Sequence, residues 1–264
     1  MKNVVERVKN GEALWSWRKI TIKPHNPPDE LESAVLEVNV MRDAMRLKND
    51  KGQWIRFPVT AIEQQQIADV VGGIFHTERT QDERHLAATA LFDPIIQVPP
   101  GSGRIVATSH EDDYNRYVDQ AIEKTGDDGI VSSVGKPWTL TNNMVKQQRH
   151  GLQTAYNYGW HSHSAIYTGP GGMRVWQPVI NPMSKYIHNN VHKDPSQVCE
   201  FLSRSATIID GQGSQTFVDL IDVYQHDIWC HFVTYDGKSL KHVRQPAVPE
   251  IKGTIVLPPI EITS

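Results

Sequence analysis

Leu36-Glu37-Val38-Asn39-Val40 sets an apolar residue at every second position. In an extended chain that period puts Leu36, Val38 and Val40 on one face and Glu37 and Asn39 on the other, so the spacing predicts a half-buried β-strand. Downstream, Asn49-Asp50-Lys51-Gly52 is a turn signal, and Trp54-Ile55-Arg56-Phe57 follows as a partner strand that Pro58 ends. Helical punctuation comes next. In Thr60-Ala61-Ile62-Glu63 the Thr hydroxyl can accept from the third amide of a helix while the Glu reaches back, which is a capping box. Ile62, Ile67, Val70 and Val71 supply the apolar face, and Gly72-Gly73 offers a left-handed stop. Thr80-Gln81-Asp82-Glu83 repeats the box, with Leu86, Ala87, Ala90 and Leu91 expected inward and Pro94 beyond the end. A third helix is expected from about Ser109 to Thr125, closed by Gly126.

Beyond Gly126 the texture turns to strands and turns. Ile130-Val131 leads into Ser132 to Asn142, then come Tyr156-Asn157-Tyr158-Gly159-Trp160-His161, a glycine-rich hairpin at Gly169 to Gly172, and Met173 to Gln177. A short helix is expected around Ser196 to Leu202, and two more strands at Ala206 to Ile209 and Ile228 to Tyr235. The pattern predicts an α+β fold in which N-terminal helices pack on a mostly antiparallel β-sheet, in a single domain with extended termini. Residues 1–31, interrupted by Pro24, Pro27 and Pro28, read as an arm or linker. Residues 32–245 form the domain, with a strand hairpin and helices in 32–126 and a sheet-rich His/Trp region in 127–245. Residues 246–264 carry four prolines and read as a surface tail.

Composition narrows the classes. The chain has 264 residues, 39% hydrophobic and 22% charged, enough to bury a core without disulfides. It has two cysteines and no apolar run long enough for a membrane span. A net charge of −3 with dispersed basic residues argues against a nucleic-acid partner. Met1 to Trp17 holds no continuous apolar segment, so cytoplasmic synthesis without a secretory signal is expected, with any access to the cell wall following lysis.

Five of the twelve histidines fall between His150 and His192, and imidazole is both a metal ligand and a general base near neutral pH. On a strand, His161 and His163 share a face. On a helix, His188 and His192 stack at i, i+4, the spacing used by zinc metalloproteases, although the base-supplying Glu of that motif is Asn189 here. His161, His188, His192 and Asp194 therefore form a candidate zinc set, the alternative being satisfied or solvated histidines. Lys136, at a bend beside Pro137 and Trp138, either binds an anionic group or is exposed. Cys199 follows Ser196-Gln197-Val198; at a helix N-terminus and beside His163 its thiol would be activated, whereas apolar neighbours would bury it.

The segment from about Ser132 to Asp210 resembles a family of uncharacterised bacterial and phage proteins. The resemblance is carried by Gly135-Lys136-Pro137-Trp138-Thr139-Leu140-Thr141-Asn142, by Asn157 to His161, by Trp176-Gln177, by His188-Asn189-Asn190-Val191-His192-Lys193-Asp194-Pro195-Ser196-Gln197, and by Asp210-Gly211. The chain departs from the pattern at Asn189, where the family has Asp, and at Pro195, where it has Tyr. The shared polar set is His161, His188, His192, Asp194 and Ser196; the family brings no established reaction. His163 to Gly169 also resembles the His strand of circularly permuted papain-like enzymes, which would make Cys199 a nucleophile with His163 as its base.

Residue chemistry then supplies three expectations. The first is a hydrolase of cell-wall peptidoglycan, cleaving an amide or glycosidic bond. In it His161 or His192 is the base, Asp194 orients it, and Ser196 or Lys136 stabilises charge, with His188 in the cluster and zinc as an optional water activator. Trp138, Trp160 and Trp176, with Asn157 and Gln177, line its substrate cleft. The second is a non-catalytic binding or virion-type protein, in which the same histidines are buried and bonded to backbone. The third is the thiol enzyme with Cys199 and His163.

Overall fold

The computed structural model describes residues 3–91, 115, 119–120, 122–123, 129–132, 135–142, 148–149, 152–159, 161–168, 174–178, 188–189, 191, 193, 197–245 and 248. The fold is α+β, with helices on a mostly antiparallel sheet. The chain opens with α1 (Val4–Lys9) and β1 (Trp17–Ile22). β2 (Val35–Met41) follows, then a hairpin of β3 (Arg46–Lys48) and β4 (Trp54–Arg56). α2 (Ala61–Val71), β5 (Gly73–Ile74) and α3 (Glu78–Leu86) come next. β6 (Trp138–Thr139), β7 (Gln148–Arg149), β8 (Leu152–Asn157), β9 (His161–Thr168), β10 (Arg174–Pro178) and β11 (His188–Asn189) make the second half's strands. β12 (Leu202–Ile209), β13 (Gln215–Asp219) and α4 (Leu220–Gln225) complete it.

The main sheet runs β1-β2-β12-β13, all antiparallel, with β5 added to β12. Its centre is the alternating stretch in β2. Val38 faces Ile20 on one side and Ala206 on the other, and Leu36 faces Ile22 and Ile208. Leu36, Val38 and Val40 are buried, while Glu37 and Asn39 stay half-buried on the other face. Each such side chain contributes about 1.5–3 kcal/mol by leaving water. The Asn49–Gly52 turn forms as expected, with the Asn49 side chain accepting from the Lys51 and Gln53 amides. It joins β3 to β4, whereas β2 takes β1 and β12 as its neighbours.

The Thr60 capping box is present in both directions, and Gly72 ends α2 in the left-handed region at φ 66°. From there α2 lays Gln64 against β6. The Gln64 amide donates to the Trp138 carbonyl at 3.0 Å and accepts from the Trp138 amide at 3.1 Å, acting as a one-residue strand partner. At the other end of the hairpin, buried Arg56 holds Asp43 by two bonds of 2.8 and 2.6 Å, and Arg46 adds a third contact at 3.0 Å. Burial alone would raise the Asp43 carboxyl, but these guanidiniums outweigh it and hold the group below the usual carboxylate range.

Four expectations are corrected. Residues 3–22 are not a peripheral arm: Val4, Val8, Ile20 and Ile22 sit in the core, and the prolines at 24–28 merely connect β1 to the next turn. α3 begins at Thr77, not Thr80, with Thr77 and Thr80 capping each other's amides. The three-residue shift turns Leu86 outward, leaves Leu91 exposed, and buries a polar face of Thr80, Gln81, Arg84 and His85. Of the helix expected around Ser196 to Leu202, residues 197–202 are not helical: Val198 bridges Pro58 and Leu202 opens β12. Ile228 to Tyr235 is not a strand but a 3-10 turn, Trp229–Phe232, and the loop after it. Of the expected third helix, residues 115, 119–120 and 122–123 are described and helical; the rest of it, and 246–264 apart from Val248, lie outside the described residues. Among the described residues no helix is long and apolar enough to cross a membrane.

Candidate functional site

The polar face of α3 meets the β8–β9 connection. β8 ends at Asn157, the chain turns through Gly159 at φ 135°, and β9 begins with His161. A Cβ on Gly159 would press on Pro137, the Gln81 amide and the Gly135 carbonyl at 3.2–3.3 Å, so this close approach requires glycine. The turn delivers the His161 ring to Asp82 of α3, with Nε2 at 2.6 Å from Oδ1. Its Nδ1 lies 2.9 Å from the Gly159 carbonyl. Both ring nitrogens thus face oxygen acceptors, which fixes the orientation of the imidazole. Asp82 also accepts from the Tyr158 hydroxyl at 2.8 Å and from the Tyr235 hydroxyl at 2.5 Å. Burial, followed by the adjoining Asp82 charge, pushes both phenols far up, so they serve as neutral donors.

A second polar layer backs this one. His85 stacks on His161 with ring centroids 4.1 Å apart, and its Nδ1 contacts the Ser132 hydroxyl. Gln81 donates to the Glu200 carboxyl at 3.3 Å, and Arg84 stands 3.5 Å from its other oxygen. Burial raises the Glu200 carboxyl despite Arg84 and Gln81. His76 is held neutral by burial and by the Arg84 charge.

On the solvent side, Tyr235 and Glu78 help wall a cavity of about 650 Å³, with Asp236, Lys238, Lys241 and His242 also in its lining. That volume is within the range of small-molecule sites. Glu78 is the first residue of α3, where the helix dipole favours an anion. Even so its carboxyl is raised, by burial first and then by the Asp82 and Asp236 charges. The cavity therefore holds a carboxyl that keeps its proton more tightly than a free glutamate does, near the exposed side chain of Asp236.

Several residues named from the sequence land elsewhere. His161, Asn157 and Lys136 do converge on this region, yet all three are buried, and the Asn157 side-chain nitrogen has no hydrogen-bond partner among the described residues. Lys136 is accordingly not exposed. Trp138 is fully buried and its indole donates to the Val59 carbonyl at 2.8 Å, so it is a core residue and not a wall for substrate. His188 lies in β11, paired with Ala155, and not in a helix. His163 follows His161 in β9, and Trp176 and Gln177 lie in β10; the side chains of these three residues lie outside the described parts of the chain. Trp160, His192, Asp194 and Ser196 also lie outside the described residues.

Cys199 is buried in an extended segment, not at a helix N-terminus, and burial pushes its thiol well up, which is the opposite of activation. The thiol-enzyme expectation loses its nucleophile on both counts. For zinc, His161 has both nitrogens engaged by Asp82 and Gly159, and among the described residues no three His, Cys, Asp or Glu side chains gather as a metal-binding group. The described part of the proposed ligand set does not fit a metal.

Glu78, Asp82, His85, Ser132, Tyr235 and Asp236 were missed. The false capping box at Thr80 hid Asp82 among helix-start residues, and Asp236-Gly237 read only as a turn. The charge clustering around Glu78 joins Asp82, one helical turn on, to Asp236, more than 150 positions away, and that second contact is one no local pattern carries. No family model, no curated protein and no solved structure matches the chain.

Proposed function

We propose that the protein is a hydrolase acting on a polar polymer of the cell-wall type, with the cavity beside α3 as its active site. The observation that carries this proposal is the cavity wall itself: Glu78, Tyr235 and Asp236 face one space, and Asp82 and His161 hold Tyr235 from behind. In this scheme the protonated Glu78 gives its proton to the leaving oxygen or nitrogen as that bond breaks. Asp236 takes a proton from water, whose hydroxyl adds to the carbon left behind. His161 is a positioning residue, since it is buried and acts on the cavity through Asp82 and Tyr235. A glycan or peptide of peptidoglycan remains the proposed substrate. The aromatic wall reduces to Tyr235 among the described residues, so polar contacts rather than ring stacking select it.

Incubation of the protein with peptidoglycan from several wall types, scored for new reducing ends and new amines, tests this proposal and identifies the bond. Release from one type, lost in Asp236→Asn and Glu78→Gln, supports it. No release from any of them, with folded protein confirmed, overturns it. One observation favours a second proposal, a non-catalytic binding protein: His161, Ser132 and Lys136 are all buried and the His161 ring is bonded to backbone. Binding of wall fragments without turnover would select it.

A further inference from the structure

We propose that the end of this cavity formed by Lys241 and His242 is a subsite for a carboxylate of the substrate. The loop that carries them is braced on three sides. The Asn142 side chain donates to the Ser239 carbonyl at 3.0 Å and accepts from the Lys241 amide at 2.9 Å. The Leu240 amide donates to the Tyr224 carbonyl at 2.7 Å, and the Leu240 side chain is buried beneath. At the loop's start the Asp236 carboxylate accepts from the Lys238 amide at 3.2 Å. Lys241 and His242 therefore project from a backbone whose position is set before any ligand arrives, which lowers the ordering cost of binding.

The other cations on this wall are engaged. Arg79 donates to the His231 and Lys23 carbonyls and pairs with Glu83 at 3.2 Å. Lys238 lies 3.6 Å from Asp236. Among the described residues, the Lys241 ammonium makes no hydrogen bond or ion pair, and neither does the His242 ring. An ammonium with no ion pair among the described residues and an imidazole donor thus share a cavity lining with Glu78. A ligand with one anionic group is oriented by them, with that group at Lys241 and its remaining length along the rest of the lining. One such ammonium, in a cavity that also holds Asp236, suits a singly charged carboxylate better than a phosphate dianion, which would meet too little positive charge.

The assignment of this carboxylate to a substrate rests on the hydrolase proposal; the binding property does not, and the two are measured separately. The probe is muramyl dipeptide, which carries one carboxylate, against its carboxamide, each titrated calorimetrically into wild type, Lys241→Ala and Lys241→Arg. The acid is expected to bind about tenfold more tightly than the amide to wild type. The preference should shrink with rising salt, vanish in Lys241→Ala and persist in Lys241→Arg. Equal binding of acid and amide, no binding of either, or a preference unchanged in Lys241→Ala overturns the subsite. If the preference holds while the folded wild type releases no fragments from any wall type, the subsite stands and the hydrolase proposal falls. If Glu78→Gln abolishes release while the preference is missing, the reverse follows.

Discussion

Asp82→Ala removes the acceptor that joins α3, the β8–β9 turn and the loop at Tyr235. Three donors lose their partner: His161 Nε2 at 2.6 Å, the Tyr158 hydroxyl at 2.8 Å and the Tyr235 hydroxyl at 2.5 Å. They are not equally affected. Tyr235 is 45% exposed, so water can replace the carboxylate there, whereas His161 at 2% and Tyr158 at 8% have little access to solvent. Each buried donor left unsatisfied costs about 1–3 kcal/mol, so two of them predict a loss of about 4 kcal/mol. For a chain of this size that corresponds to a fall of about 8–16 °C in Tm. Urea titration followed by tryptophan fluorescence, with a calorimetric scan beside it, measures the loss. Asp236→Ala, on the same cavity but at a side chain 59% exposed, is the control and should stay within about 0.5 kcal/mol of wild type. Asp82→Asn keeps one oxygen and the shape, and should lose about half as much. A loss below about 1 kcal/mol for Asp82→Ala would refute the idea that this carboxylate ties the three segments together.

Three further outcomes follow from the same coordinates. Trp138→Ala leaves a cavity between α2 and β6 and strands the Val59 carbonyl, so it should cost about 3–5 kcal/mol in denaturant titration, where a merely substrate-lining tryptophan would cost little. Glu200 has a carboxyl raised in the folded state, so the folded protein holds that proton more tightly than the unfolded chain; stability falls as pH rises from about 4.5 until the folded group ionises. Glu200→Gln removes this contribution, and stability measured from pH about 4 to about 8 should show the variant gaining on wild type as pH rises; a pH-independent difference would sink the assignment. Lys241→Ala should abolish the preference for a carboxylate ligand without lowering Tm, because among the described residues its ammonium makes no hydrogen bond or ion pair; a lower Tm would mean that Lys241 has a structural role.

The parts of the fold that were legible are those whose signals are local. Alternation in β2, the Thr60–Glu63 box, the left-handed Gly72 and the Asn49–Gly52 turn each depend on neighbours within a few positions, and each is found. α1 and β1 were not legible, because three prolines nearby suggested a loose arm while the burial of Val4, Val8 and Ile22 depends on distant strands and helices. α3 misled because two threonines three apart, Thr77 and Thr80, can each start a helix; the structure uses the first and so buries a polar face. The Ile228–Phe232 stretch is rich in apolar and aromatic residues, as a strand would be, yet it packs as a 3-10 turn against α4. For the site, Lys136, Asn157 and His161 do come together beside α3, but the sequence pattern does not tell that all three are buried. The cavity beside them is lined by Glu78 and by Tyr235-Asp236, which only tertiary folding brings to one place.

The central claim is that Glu78 acts as the acid of a hydrolytic site. It is tested most directly by the initial rate of peptidoglycan fragment release as a function of pH, for wild type beside Glu78→Gln at matched folded concentration. Burial and the Asp82 and Asp236 charges raise the Glu78 carboxyl, so the wild-type rate should decline on the alkaline side as that proton is lost. Glu78→Gln should run about 10²–10⁴-fold slower and should lack that alkaline decline. A variant with the wild-type rate and an unchanged pH profile would contradict the claim and remove Glu78 from the chemistry.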